Sequence, residues 1–207
     1  MVAPVTIVEI LGLAASLSLL AGWRLYAAVL AAGLAMRFGV LDLVGAPALP
    51  HALAGLQVLA NPWVLGIAAL GTAAEFLADK VAWLDSIWDT LHTLVRPVGG
   101  ALLALAVVSP DDNALAVVVF LLGGGAALAS HAAKAGSRAV INGSPEPVSN
   151  VVASVAEDGL VAGGLWLALS HPEWAAALAL VLAGLAALLL WLAWRILGPL
   201  WRRLWRA

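Results

Sequence analysis

Glu75 and Asp79 stand four residues apart, one helical turn, in a stretch that is otherwise almost wholly apolar. An ionisable group inside such a run is costly and marks a functional position by default. A carboxylate pair at this spacing fits a proton or small-cation site. The competing reading has Asp79 snorkelling to pair with Lys80, and Glu75 held by one hydrogen bond. Glu157 and Asp158 form a second acidic pair in another apolar run. Adjacent helical positions point ~100° apart, so these two cannot both face one ligand. Asn150 and Ser154 precede them at helical spacing and extend a polar stripe, fit either for an ion or proton site or for hydrogen bonds that fix helix packing. His131, Lys134 and Arg138 share a face at spacings of three and four. Beside Arg24 they would bind an anion or balance the acids, or the two cations would only anchor a loop. An imidazole that titrates near neutrality suits His131 to proton relay, although a lone histidine is often a hydrogen-bonded structural residue.

Asp85, Asp89, His92 and Arg96 recur at spacings of four, three and four, so they line one helical face. Trp83, Leu84, Ile87, Trp88, Leu91 and Val95 cover the other. Residues 81–95 are therefore expected as an amphipathic helix lying at the membrane interface, or packed across the bundle. Asn142-Gly143-Ser144-Pro145-Glu146-Pro147 is a breaker cluster, either a plain loop or irregular backbone that lines a cavity. In the second case Asn142, Ser144 and Glu146 line the site. Arg24, Lys80, Arg96, Lys134 and Arg138 are the candidate anion or phosphate contacts.

These groups are set in 207 residues of which 64% are hydrophobic, with a mean hydropathy of +1.04. A soluble domain is nearer half apolar. The net charge of −2 gives no basis for binding nucleic acid. With no cysteine, disulfides, zinc thiolates and thiol chemistry are excluded. No HExxH or GxSxG occurs, and Gly123-Gly124-Gly125 and Gly163-Gly164 lack the strand-turn-helix setting of a phosphate loop. Neither a cofactor nor a metal site is expected. The first run lacks a basic n-region and a small-residue cleavage site, so it is expected to stay as a span.

A span takes ~20 apolar residues. The candidates are 5–38, 62–78, a short one at 97–108, 114–133, 148–169 and 174–194. Gly22-Trp23-Arg24 interrupts the first, which is one long or broken helix or a helical pair. The expected fold is all-α, a polytopic transmembrane bundle of about six spans plus an amphipathic interfacial or re-entrant helix. Residues 1–207 read as a single integral membrane domain, with 196–207 a basic Trp/Arg cytoplasmic tail. The loops at 109–113 and 170–173 carry no Lys or Arg, whereas Lys80, Lys134, Arg138 and the C-terminal arginines are basic. The positive-inside rule then places both termini in the cytoplasm of a bacterial inner membrane. Arg37, at the outer end of the first span, is the misfit. An internal repeat is also discernible. Residues 19–22 precede Arg37 much as 121–124 precede Arg138, and each following span carries an acid, which fits an inverted 3+3 plan. Residues 71–80 also resemble 125–134, which would imply a parallel repeat.

Two stretches carry a resemblance. One is Asp79-Lys80, Trp83, Asp85, Trp88-Asp89, His92-Thr93 and Arg96-Pro97. The other is His131, Lys134, Arg138, Asn142, Ser144-Pro145-Glu146-Pro147, Ser149-Asn150, Ser154 and Glu157-Asp158. Together they resemble a bacterial family of small integral membrane proteins known as domain of unknown function 4126. The resemblance runs from Gly22 to about Gly164 and implies a membrane protein without supplying an activity. It also brings the Ser-Pro-Glu-Pro turn into the family pattern.

The leading expectation is a transporter or channel for a small ion or solute, with Glu75, Glu157, Asp158 and His131 as its ion or proton site. The alternatives are a lipid-phosphate flippase or lipid-modifying enzyme, with His92 or His131 as acid/base, and a non-catalytic assembly factor. Membrane lipids and a small ion or solute are the expected partners, with a homo-oligomer possible.

Overall fold

The computed structural model describes residues 6–39, 53–143 and 147–204. Every regular element among them is a helix. We name the long ones α1 (Ile7–Phe38), α2 (Pro62–Ala78), α3 (Ala82–Val108), α4 (Asn113–Ile141), α5 (Pro147–Ser170) and α6 (Ala175–Leu204). Short 3-10 helices at Ala54–Ala60 and Pro172–Trp174 connect them. Five helices are long and apolar enough to cross a membrane, or six if Ala54–Ala60 and α2, bent by 70°, form one span. The protein is an all-α polytopic helix bundle.

Local chemistry sets the helix starts. Thr6 and Glu9 form a reciprocal capping box on α1. The Asn61 side chain accepts the Trp63 N–H at 2.9 Å, with Pro62 at the first helical position of α2. Asp112 caps α4 by accepting from the Leu115 N–H at 2.9 Å.

α1 is not one straight rod. Arg24 has φ −146° and ψ 86°, outside helical geometry, and the contacts on either side fold the two halves back on each other. Gly12 lies against Ala176, and the Ser16 hydroxyl donates to the Ala175 carbonyl at 2.7 Å. Gly22 lies against Ala127 and Ser130, Leu25 against Gly99, Tyr26 against Gly71 and Gly33 against Leu59. Ala31 and Ala35 then line the same cavity as Leu169 and Ser170. Both ends of α1 therefore lie near the start of α6, and Arg24 forms the tip of a helical hairpin at the opposite end. Of the two readings of residues 5–38, the pair is the one the structure adopts. This extra reversal sets the two described ends of the chain apart. Ile7 shares the acidic-loop end, with 109–113 and 170–174, while Leu204 reaches the basic end, with Lys80 and Asn142.

One expectation is corrected at residues 81–108. The amphipathic helix and the short span are one helix, α3, with Pro97 inside it. Pro97 cannot supply the N–H that Thr93 O would accept, a loss that packed membrane helices tolerate. The stripe Asp85, Asp89, His92 and Arg96 is buried in the bundle rather than laid in the interface. Gly100 and Gly123 let α3 and α4 meet at backbone distance, because a Cβ on either would strike Ala127 or Ala104.

The result is a bundle with a charged interior and an apolar exterior. Arg96 and Lys134 are 0% exposed, whereas Trp63 is 82% and Leu94 79% exposed. Lipid solvates such an exterior and water does not. Leu13, Leu17, Leu20, Leu103 and Leu182 form the apolar core towards the acidic-loop end. Arg37 is exposed at that end and donates to the Ala60 carbonyl at 3.1 Å. α6 continues through Leu204, so most of the basic tail extends a helix. Ser144 and Glu146 lie outside the described residues.

Candidate functional site

Four cations meet six carboxylates in the basic-end half of the bundle. Lys134, on α4, is the hub. Its Nζ lies 3.3 Å from Asp79 Oδ2, 3.8 Å from Asp89 Oδ1, 3.8 Å from Glu157 Oε2 and 4.0 Å from Glu75 Oε1. It also donates to the Trp23 carbonyl beside the α1 break at 3.5 Å. Arg24 reaches Asp79 at 2.6 Å and Asp158 at 2.8 Å, and donates to the Ser154 hydroxyl at 3.4 Å. Those contacts explain the broken helix: two carboxylates and a hydroxyl compensate the helical geometry lost at the tip.

Arg96, on α3, donates to Asp89 at 2.9 Å and to Glu75. Arg138, on α4, clamps Glu157 with two parallel bonds of 2.9 and 2.8 Å, a strong bidentate geometry. It also donates to the Asn150 carbonyl at 3.0 Å. Asn150 ties α5 to the end of α2 by donating to the Asp79 carbonyl at 3.1 Å. Asp85 has the loosest partner, Arg138 Nε at 4.0 Å, and accepts from Asn142 at 3.3 Å.

Hydrogen-bond donors assign the histidine tautomers. Arg96 donates to His131 Nδ1 at 2.6 Å, so the His131 proton sits on Nε2 and faces Thr93 Oγ1 at 3.1 Å. Thr93 passes its own proton to the Asp89 carbonyl at 3.0 Å. His92 Nδ1 donates to the Trp88 carbonyl at 2.8 Å, which leaves Nε2 to accept from the Tyr26 hydroxyl at 3.1 Å.

The cations Arg24, Arg96, Lys134 and Arg138 thus face Glu75, Asp79, Asp85, Asp89, Glu157 and Asp158, a surplus of two carboxylates among the described residues. Glu75 Oε2 and Asp89 Oδ2 are buried without a hydrogen-bond partner among the described residues. No group of three His, Asp or Glu side chains converges as a metal-ligand set among those residues.

Most predicted site residues converge here: Glu75, His131, Glu157, Asp158, Arg24, Arg96, Lys134, Arg138, Asn150 and Ser154. Glu157 and Asp158 diverge as adjacent helical positions must, the first towards Arg138 and the second towards Arg24. Lys80 stays outside, bonded to the Phe76 carbonyl at 3.0 Å with its ammonium 3.2 Å from the Phe76 ring centre. Of the two sequence readings of Asp79, one paired it with Lys80, yet Asp79 is fully buried and touches three of the four cations. Its helical spacing from Glu75 was the available signal. Tyr26 and Thr93, which orient the two histidines, carried no such signal, because hydroxyls are ordinary in membrane helices.

A cavity of about 480 Å³ meets this network at one edge. Arg24 and Asp158 close its polar end, and Ala31, Leu34, Phe76, Leu165 and Trp166 line its length between α1, α2 and α5. Its walls include outward-facing residues such as Trp166, 59% exposed, so it opens sideways towards lipid.

The family model for a domain of unknown function (DUF4126) matches residues 11–194, and the chain belongs to that family. No curated protein and no solved structure matches it.

Proposed function

We propose that this member of the family is a transporter or channel for a small ion or solute, coupled to a proton or a monovalent cation. One observation carries the reading. Among the described residues the network holds two more carboxylates than cations, which is costly as it stands, and two protons or two monovalent cations would complete it. Glu75, Glu157 and Asp158 would form the exchanging site, reached through the loosely held Asp85 and the open oxygens of Glu75 and Asp89. His131 would orient Arg96 in its neutral form. Since Arg24, Arg96, Lys134 and Arg138 are all taken up by carboxylates, their role is to tune the acids rather than to bind an anion. The repeat belongs to the same reading, since Glu75 and Glu157 each close on an arginine of a neighbouring helix, Arg96 and Arg138. By the positive-inside rule the basic end faces the cytoplasm of a bacterial inner membrane, so the C-terminal Trp/Arg segment is inside and Ile7 outside. The whole chain forms one integral domain in this reading.

A scaffold would leave no buried oxygen unpaired, so Glu75 Oε2 and Asp89 Oδ2 weigh against the assembly-factor reading. The lipid-handling alternative draws on a different observation: every buried charge among the described residues lies towards one end of the bundle, beside a groove open to the side. Purified protein in liposomes loaded with a pH-sensitive dye separates the readings. The expected result is acidification driven by an imposed potential, lost at least tenfold in Glu75→Gln and Glu157→Gln while both variants fold. Unchanged flux per folded molecule in these variants refutes the exchanging role of the acids. Redistribution of a labelled phospholipid between leaflets without proton movement replaces transport with the lipid reading.

A further inference from the structure

The sideways cavity combines features that suit one class of ligand. Asp158 is the most exposed member of the charged network, with its side chain 32% open. Its Oδ1 lies 2.8 Å from Arg24 Nε as an ion pair, and the residue lines the cavity. Arg24 cannot fully neutralise it, because the same guanidinium is held by Asp79 at 2.6 Å. Behind this pair stands the surplus of negative charge in the network. The rest of the cavity is apolar apart from Thr72 and Ser170, and includes two aromatic rings, Phe76 and Trp166. Its size, about 480 Å³, is that of a site for a drug-sized molecule. Negative potential at the closed end favours a cation, the Trp166 ring attracts one across its face, Phe76 being already engaged by Lys80, and an apolar wall open to lipid admits only a molecule that partitions into the bilayer.

We propose that this cavity binds lipophilic organic monocations, entering sideways from the membrane, with Asp158 as the charge partner. The assignment rests on the transport reading and names its substrate class. The site differs from the Glu75–Arg96 and Glu157–Arg138 pairs, which are buried and closed to a ligand of this size.

Tetraphenylphosphonium and tetraphenylborate have the same shape and opposite charge, so they separate charge recognition from simple partitioning. Protein in phosphatidylcholine nanodiscs should bind tetraphenylphosphonium saturably, above the signal of empty discs, and should not bind tetraphenylborate. Asp158→Asn should weaken binding at least tenfold. Ala162→Trp, which fills the groove and keeps the charge, should weaken it similarly, with thermal unfolding confirming that both variants fold. Equal binding of the borate, or unchanged binding in Asp158→Asn, overturns the proposal. If ethanolamine phospholipid in the discs abolishes phosphonium binding and copurifies with the wild type but not with Asp158→Asn, a lipid headgroup is the occupant and the free-cation proposal is overturned. Binding is read at equilibrium. A protein that binds the cation yet moves no protons therefore refutes the transport reading while keeping the site, and the reverse result refutes only the site.

Discussion

Removing Arg138 and removing Glu157 break the same ion pair, yet the two losses should differ. The pair is bidentate, with Nη2 to Oε2 at 2.8 Å, and both side chains are almost wholly buried. At an effective dielectric constant of about 20 the attraction across that distance is ~6 kcal/mol, and either substitution forfeits it. The difference lies in what remains. After Arg138→Met, Glu157 keeps only Lys134 at 3.8 Å, an ammonium already shared with three other carboxylates. The acid surplus grows from two to three. After Glu157→Gln, Arg138 still stands 3.9 Å from Asp79 and 4.0 Å from Asp85, and the surplus shrinks to one. Arg138→Met should therefore cost about 3–5 kcal/mol, the usual consequence of stranding a buried charge. Glu157→Gln should cost about 1 kcal/mol, the scale of one altered hydrogen bond. The double variant should be more stable than Arg138→Met alone, because the stranded carboxylate is gone. Reversible denaturation in mixed micelles gives all four values. If Glu157→Gln loses as much as Arg138→Met, or the two losses simply add, the charge count is wrong.

Cysteine scanning tests the broken helix directly, since the natural chain has no cysteine. Val8→Cys and Asp112→Cys should react with an impermeant maleimide from one side of the membrane and Arg195→Cys from the other; opposite labelling of Val8→Cys and Asp112→Cys would restore a single straight span. Gly22→Val should separate α1 from α4, because its Cβ would enter the space of Ala127 O and Ser130 Oγ. It is expected to lose about 1–3 kcal/mol of stability, against a near-neutral Gly125→Ala, where a Cβ meets nothing.

How far the sequence carried the fold depended on whether each signal was local. The bounds 62–78 follow from Asn61, Pro62 and an unbroken apolar run, and α2 has those bounds. Gly22-Trp23-Arg24 could be read as an interruption, with a helical pair as one alternative, but nothing local chose between them, because the groups that hold Arg24 lie on α2 and α5, far along the chain. Pro97 read as the start of a span, since proline usually opens a helix; the burial of Asp89 and Arg96 beneath α4 decided otherwise. The acidic stripe pointed to one face of α3, but whether that face met water or cations was settled by Lys134 and Arg138 on another helix. Helical spacing grouped most of the charged site correctly. It set Asp79 beside Glu75, but an adjacent lysine offered a simpler partner.

The hairpin tip at Arg24 also sets an order of assembly. Synthesis delivers its guanidinium well before Asp79 and more than a hundred residues before Ser154 and Asp158. Until those arrive, the nascent hairpin carries an unmatched positive charge that hydrocarbon will not accept. The hairpin can settle to its final depth only when α5 has been inserted. A chain stopped before Pro147 would lack both partners on α5, leaving its first element unanchored and exposed to membrane quality control. The final fold thus comes late and all at once, with the earliest residues among the last to find their places.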